Sequence, residues 1–413
     1  MKLATIFRHL AGRDARVRFH AYDGSKDGPD DADVVIEIRS PAAVRYIVRS
    51  PGGLGLARAF VAGDVEIVGD LYTGLRELAR SSTGTLNMRE RLSVLRGLGP
   101  ALFGGAKPPP EEVRMRGVRH SKQRDRAAIA HHYDVSNRFY SWVLGSSMAY
   151  TCAVYPREDA TLEEAQFSKF DLVCRKLGLE PGMRLLDVGC GWGGMVMHAA
   201  RHHGVTALGV TLSERQAEWA QQEIARAGLS GVAEVRFLDY RDVKEEGFDA
   251  VSSIGLTEHV GRRNLSAYFR FLRTKLRPRG RLLNHCITRA TNGEAPFQRR
   301  GFINRYVFPD GELSAIGHIT SVMQDEGFEV RHVEDLREHY ARTLTAWCRN
   351  LDDHWSEAVD EVGAGKARVW ALYMAGSRLA FEQNHIQLHQ ALGANTEENG
   401  DAGIPLRPDW EKR

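Results

Sequence analysis

The amino-acid sequence predicts an α/β protein: a doubly wound parallel sheet preceded by a small α+β domain. Three observations carry this. At 185–194 an apolar run, LLDVG, passes directly into the glycine turn CGWGG and then into a helix-forming stretch, Met195 to His203. Apolar strand-like segments then alternate with helical ones over about 150 residues, the rhythm of a parallel sheet with crossover helices. Finally, three consecutive prolines at 108–110 break a chain of 413 residues, long for one domain.

In the N-terminal part, Val17 to Tyr22 alternates as a strand and turns at Asp23-Gly24, and Val34 to Arg39 is a second strand. Pro41 opens a short helix through Val48, glycines 52, 53 and 55 mark a loop, and Leu56 to Val61 follows. No catalytic constellation appears there, so residues 1–102 are expected to form an accessory domain. Residues 103–126 are expected to be a linker, since Pro108-Pro109-Pro110 can continue neither helix nor ladder. Its second half is basic: Arg114, Arg116, Arg119, His120, Lys122, Arg124 and Arg126 face only Asp125. Such a run is either a solvated face or a lure for anionic lipid head groups.

The remainder, 127–413, is expected to be the sheet domain. A helix is predicted from Leu162 to Leu177, then the strand at Leu185. Further strands follow at Val205–Thr211, Val235–Leu238, Phe248–Ile254 and Arg281–His285, with Ser213 capping the helix that contains Gln216.

Composition excludes several classes. With 56 basic and 53 acidic residues the net charge is only +3, so bulk electrostatics do not point to nucleic acid. Five scattered cysteines without a C-x-x-C pair predict neither a zinc site nor a disulfide framework, and a reducing compartment follows. Arg8, Arg13 and Arg16 interrupt any signal-peptide core. No uncharged run approaches the roughly 18 residues needed to span a bilayer, so the chain is expected to be cytoplasmic and at most peripheral to the inner face of the membrane.

The glycine turn is where chemistry is expected. Glycines 189, 191, 193 and 194 let backbone approach a ligand at the carboxyl end of a strand. Spacing alone leaves a nicotinamide dinucleotide open, because Gly189, Gly191 and Gly194 satisfy G-x-G-x-x-G. Asp187 adds D-x-G-x-G, which resembles motif I of S-adenosylmethionine-dependent methyltransferases. A turn with no ligand would need far less glycine.

A wider set of motifs resembles one family, the cyclopropane-fatty-acyl-phospholipid synthases and mycolic-acid methyltransferases. The matching stretches are HHYDVSN at 131–137, YTCAVY at 150–155, LLDVGCGWGG at 185–194 and GVTLSERQ at 209–216. LDYRD at 238–242, TEHVG at 257–261, FINRYVFPDG at 302–311 and HYARTLTAW at 339–347 continue in family order. Methyltransferases at large usually end the second strand with an acid for the ribose; Thr211 stands there, as in this family, which also weakens the dinucleotide reading.

The resemblance implies a Rossmann-like S-adenosylmethionine-dependent methyltransferase domain that acts on the cis double bond of an unsaturated phospholipid acyl chain. It implies a cyclopropane product, with bound bicarbonate as the base that removes a proton from the added methyl. By motif, Cys152, Glu258, His285, Ile287 and Tyr340 are expected at the bicarbonate. Glu258 should receive its proton, His285 and Tyr340 should donate hydrogen bonds, and Cys152 and Ile287 should act through backbone groups. For the cofactor, Tyr133, Tyr150 and Thr151 should close over the methionine end. Asp187, Gly189 and Gly191 form the turn, Thr211, Leu212 and Gln216 line ribose and adenine, and Asp239 and Tyr240 flank the adenine edge. Two other reactions stay open: an exocyclic methylene later reduced by a reductase partner, and small-molecule N- or C-methylation on the same fold. A binding module without catalysis would not account for Glu258, His285 and Tyr340 beside such a turn. No nucleic-acid partner and no metal are expected, and a homodimer is left open.

Overall fold

The computed structural model describes residues 2–12, 14–50, 52–80, 106–113, 115, 117–133, 135–293, 295 and 301–410. Two compact units are present. The first combines residues 1–114 with 299–309 and 351–379; the second holds 115–298, 310–350 and 380–413.

In the first unit a four-stranded sheet is built from β1 (Val17–Ala21), β2 (Lys26–Asp27), β3 (Val34–Ile38) and β4 (Val65–Val68), in the order β2-β1-β3-β4. β1 and β3 run parallel. Their period-two pattern buries Val17, Phe19, Val34, Ile36 and Ile38 against Ile6 and Phe7 of the helix Leu3–Ala11 and Val44 of the helix Pro41–Arg49. The latter starts where expected: Pro41 occupies its first turn and Ser40 Oγ accepts from Ala42 N at 3.0 Å.

The division expected at 102 and 126 is corrected here. Residues 299–309 and 351–379 belong to the first unit, not to the sheet domain. Glu112 explains part of this. It accepts a two-pronged hydrogen bond from Arg58 at 2.6 and 2.8 Å, with Arg305 at 3.8 Å and the Tyr306 hydroxyl at 3.4 Å. Arg368 pairs with Glu66, and the Arg378 guanidinium lies 3.5 Å from the Tyr72 ring centroid. Arg58 and Glu112 are 54 positions apart, Tyr306 and Glu112 194, and Arg368 and Glu66 302, beyond any local pattern. The expected linker is also partly helical, since Lys122–Tyr133 forms a helix.

The second unit is the expected doubly wound sheet. Its seven strands are β5 (Arg184–Val188), β6 (Thr206–Thr211), β7 (Ala233–Phe237), β8 (Phe248–Ile254), β9 (Leu276–Arg289), β10 (Glu329–Asp335) and β11 (Ile386–Ala394). They are ordered β10-β11-β9-β8-β5-β6-β7. The five from β7 to β9 are mutually parallel, and β11 and β10 are antiparallel additions. Chain order runs outward from β5 through β6 to β7, then resumes on the other side at β8, so the switch point lies at the carboxyl end of β5.

β5 is apolar on both faces because both are covered. Leu185 packs with Val173, Val196 and Ile224 of the helices Leu162–Leu177, Gly194–His203 and Glu214–Arg226. Leu186 and Val188 pack with Phe269, Leu272 and Met323 of the helices Leu265–Lys275 and Ile316–Asp325. The helix Leu162–Leu177 has the limits its sequence predicts: Thr161 and Glu164 form a reciprocal cap, and Gly178 ends it in the left-handed region. β9 runs longer than expected. It was expected only at Arg281–His285, yet it begins at Leu276 and crosses Pro278 and Gly280 by an irregularity between the Phe248 and Ala250 pairings. β10 and β11 were not anticipated; β10 alternates exposed with half-buried positions, as an edge strand does.

Candidate active site

The turn after β5 is held open by its backbone. Gly189, Gly191 and Gly193 adopt φ of +74°, +53° and +79°, values that L side chains resist. The Gly189 and Cys190 amides both donate to Val210 O, at 2.9 and 3.0 Å, which moors the turn to β6. A Cβ at Gly189 would come within 3.2 Å of the Leu256 side chain, whereas at Gly191 the nearest atom is Gln216 Nε2 at 4.0 Å. Gly191 is therefore glycine for its conformation and for the space above it, which suits a ligand lying on the backbone.

Asp187 does not face that space freely. Its carboxylate is buried and accepts from Ser252 Oγ at 2.6 Å, tying β5 to β8. Burial pushes its carboxyl up to about 6, against the Ser252 hydrogen bond and the nearby Lys169. At the end of β6, Thr211 Oγ1 donates to Gln216 Oε1 at 2.8 Å, and Ser213 caps the helix that carries Gln216. Leu212 beside them is half-buried. Beyond β7, the Asp239 carboxylate is taken by Arg241, at 2.8 and 2.6 Å. Burial pushes Asp239 up, but the hydrogen bonds from the Arg241 side chain and amide outweigh it and hold the carboxyl below its usual range. Asp239 thus meets a ligand only as half of an ion pair. Tyr240 stands edge-on to Tyr268 at 5.1 Å. The Tyr133 side chain lies outside the described residues.

Thr151 contributes through a partner the sequence did not single out. Lys169, fully buried, donates from Nζ to Thr151 Oγ1 at 2.9 Å and lies 3.7 Å from the centre of the Phe170 ring. Burial lowers its ammonium to about 7. Tyr150 belongs to an aromatic row: Trp192 to Tyr140 (4.7 Å), Tyr140 to Tyr150 (5.8 Å), Tyr150 to Trp347 (5.4 Å) and Trp347 to Tyr340 (6.0 Å). It runs from the glycine turn to Tyr340, whose ring also lies against Phe381 at 4.6 Å.

Glu258 follows the end of β8, and His285 lies on β9 beside Ile254, the last residue of β8. Glu258, in the short helix Thr257–Val260, accepts the Ile287 amide on Oε1 at 2.7 Å, while Oε2 is buried with no hydrogen-bond partner. Burial raises its carboxyl to about 7. His285 and Ile287 are two apart on β9 and so share a face. His285 Nε2 is likewise buried and without a partner. Its other nitrogen decides the tautomer. Lys176 Nζ donates to Gln390 Oε1 at 2.7 Å, which turns Gln390 Nε2 toward His285 Nδ1 at 3.2 Å. Nδ1 must accept, so the ring proton sits on Nε2. The result is one carboxyl oxygen and one N–H donor, both buried and both uncommitted.

Cys152 is buried, and its thiol donates to Ala153 O at 3.1 Å. Burial pushes the thiol well up, so it is no nucleophile. Its second acceptor, Leu336 O at 3.8 Å, also takes the Tyr340 amide at 3.1 Å, which places Cys152 and Tyr340 at one helix end. Lys169 and Lys176 had a signal in the sequence, since they share the apolar face of Leu162–Leu177 with Val173 and Leu172. Gln390 had none.

Comparison with known proteins follows these features closely. The profile of the mycolic acid cyclopropane synthetase family matches residues 120–391. The chain belongs to that family. It is therefore an S-adenosylmethionine-dependent methyltransferase. The enzyme is 53% identical over 406 residues to a probable fatty acid methyltransferase of Mycobacterium tuberculosis, covering 96% of this chain and 95% of that one. It is 33% identical over 294 residues to the cyclopropane-fatty-acyl-phospholipid synthase of Escherichia coli K12, covering 70% and 74%. Among solved structures, the mycolic acid cyclopropane synthase CmaA1 in complex with SAH and CTAB aligns with a TM-score of 0.61 at 32% identity, covering 65% of this chain and 97% of that one.

Proposed function

We propose that the enzyme methylates the cis double bond of an unsaturated phospholipid acyl chain and closes a cyclopropane ring, with bicarbonate as the base. The observation that carries this is the pair of uncommitted buried atoms, Glu258 Oε2 and His285 Nε2. A carboxyl raised toward neutrality and an imidazole N–H can both offer hydrogen bonds to a small oxyanion, and buried polar atoms are rarely left unpaired without a function.

S-adenosylmethionine supplies an electrophilic methyl group. The glycine backbone at 189 and 191 and the Thr211–Gln216 pair would hold it, while Asp187 ties β5 to β8 beneath. The alkene pair bonds to the methyl carbon as the sulfur–carbon bond breaks, leaving a cation on the other former alkene carbon. The row Tyr140, Tyr150, Trp347 and Tyr340 offers aromatic faces to that charge. Loss of a proton from the added methyl then closes the ring, and bicarbonate held by Glu258 and His285 would accept it. A neighbouring carboxylate free to attack the cation would be esterified; Glu258 avoids this by being protonated near neutrality and bound to the Ile287 amide.

A second outcome is proton loss to an exocyclic methylene that a reductase partner converts to a methyl branch; the name of the relative from M. tuberculosis, a probable fatty acid methyltransferase, fits either product. Proton NMR of lipids from a host expressing this chain separates the two: strained ring methylene protons support the first reading, vinylidene protons the second, and unaltered lipids refute both. Turnover of the purified enzyme should fall in bicarbonate-depleted buffer and recover when bicarbonate is restored. Action on phospholipid places the enzyme at the inner face of the membrane as a peripheral protein; among the described residues no helix is long and apolar enough to cross one. The basic run contributes less to docking than its composition suggests. Arg119 pairs with Glu312 at 2.7 Å, Arg124 with Asp310 at 2.6 Å and Lys122 with Asp242 at 2.7 Å.

A further inference from the structure

Two helices of the second unit bring together a donor set unrelated to the reaction. Asp171 and Cys174, three apart on Leu162–Leu177, face His198 and His203 on Gly194–His203, the helix that follows the cofactor turn. One donor atom each from Cys174, His198 and His203 lies within 4.8 Å of the others. Asp171 Oδ1 is 3.2 Å from His203 Nε2 and 4.0 Å from His198 Nε2. The other Asp171 oxygen is taken by Arg175, which leaves Oδ1 turned to the histidines.

A second observation separates this cluster from chance. His198 is only 7% exposed, and its Nε2 has no hydrogen-bond partner. Phe167 closes over it edge-on at 4.8 Å. A buried imidazole nitrogen left bare beside a thiol, a second imidazole and a carboxylate is what a metal ion would satisfy.

We propose that Asp171, Cys174, His198 and His203 bind a divalent ion of the zinc class. One thiolate, two imidazoles and one carboxylate are a closed tetrahedral set for such an ion, which prefers sulfur and nitrogen over the all-oxygen shells of calcium or magnesium. Tetrahedral donors around zinc stand about 3.3–3.8 Å apart, so side-chain adjustments of about 1 Å complete the shell. Binding releases the Cys174 proton to solvent. Because the donors come in pairs from two helices, no spacing along the chain reveals them. Its role is a clamp: it pins the helix after the glycine turn to its neighbour and steadies the turn from behind.

The probe is cobalt(II), added to the chelator-stripped full-length chain. We expect tetrahedral absorption with a thiolate-to-cobalt charge-transfer band, displaced by zinc. Cys174→Ser should lose the charge-transfer band, while Cys348→Ser, at a cysteine outside the cluster, should keep it. His198→Gln and His203→Gln should each weaken cobalt affinity at least about tenfold. Zinc should raise the melting temperature of the parent and not that of these variants. A parent without the charge-transfer band overturns the proposal, as does Cys174→Ser with the parent spectrum. If Cys174→Ser does not fold, unchanged cobalt affinity in both histidine variants overturns it, and loss in both supports it.

Discussion

Glu258 is the group whose protonation state the structure defines most sharply, and Glu258→Gln tests it without reference to turnover. Its carboxyl moves from 4.5 in the open chain to about 7 in the fold, because burial penalises the anion more than the Ile287 amide favours it. Between those values the folded enzyme holds a proton that the unfolded chain has released, so stability must fall as pH rises through the window. The linkage relation gives a loss on the order of 1 kcal/mol by pH ~5.5 and on the order of 3 kcal/mol by pH ~8, a difference of about 2 kcal/mol. Glutamine keeps the acceptor for the Ile287 amide and does not titrate. Urea unfolding followed by tryptophan fluorescence, with Trp192 and Trp347 buried in the second unit, should be run on parent and variant at both pH values. The parent should lose about 2 kcal/mol more than the variant on going from the lower pH to the higher; Lys169 and the other titrating groups are present in both and cancel. A difference under about 0.5 kcal/mol would mean that Glu258 ionises normally, and the argument from its bare oxygen would fall. Turnover of the same variant should drop by about 10²–10⁴ with cofactor affinity nearly unchanged.

Gly191→Val should lower S-adenosylmethionine affinity at least about tenfold by calorimetry and destabilise the fold by only about 1–2 kcal/mol, the cost of a left-handed residue; undiminished affinity would remove the turn from the cofactor site. Gln390→Glu would draw the ring proton of His285 to Nδ1 and take the donor off Nε2. Turnover should fall about tenfold or more while cofactor binding is unaltered, and an unchanged kcat would show that the tautomer is irrelevant. With Arg119 and Lys122 answered by Glu312 and Asp242, the double change Arg119→Ser and Lys122→Ser should leave co-sedimentation with anionic vesicles near the parental level. A marked loss would instead assign those charges to the lipid surface.

What the sequence revealed divides along physical lines. β5, the glycine turn and the helix Leu162–Leu177 were legible because each is specified locally, by burial on both faces, by positive φ and by caps at Thr161 and Gly178. Glu258, His285 and Ile287 were named through family motifs, and the link between Glu258 and the Ile287 amide appears only once β9 lies beside β8. Asp239 was expected to flank the adenine edge, and its ion pair with Arg241 was not anticipated. Gln390 escaped altogether: it lies on β11, an antiparallel strand of uncharged residues whose place beside β9 is set by tertiary pairing. The acids that pair with Arg119, Lys122 and Arg124 of the basic run are remote in sequence, so no local pattern announces them.

The make-up of the first unit has a consequence for how the chain is made. Its sheet is complete by Val68, yet the segments that share its contacts end only at residue 379. A nascent chain emerging from the ribosome cannot finish this unit until residue 379 has left the tunnel. The N-terminal sheet must wait with part of its surface uncovered, the condition under which aggregation competes with folding. The enzyme should accordingly refold slowly, depend on chaperones when synthesised fast, and yield insoluble fragments when expressed from an N-terminal piece ending near residue 114.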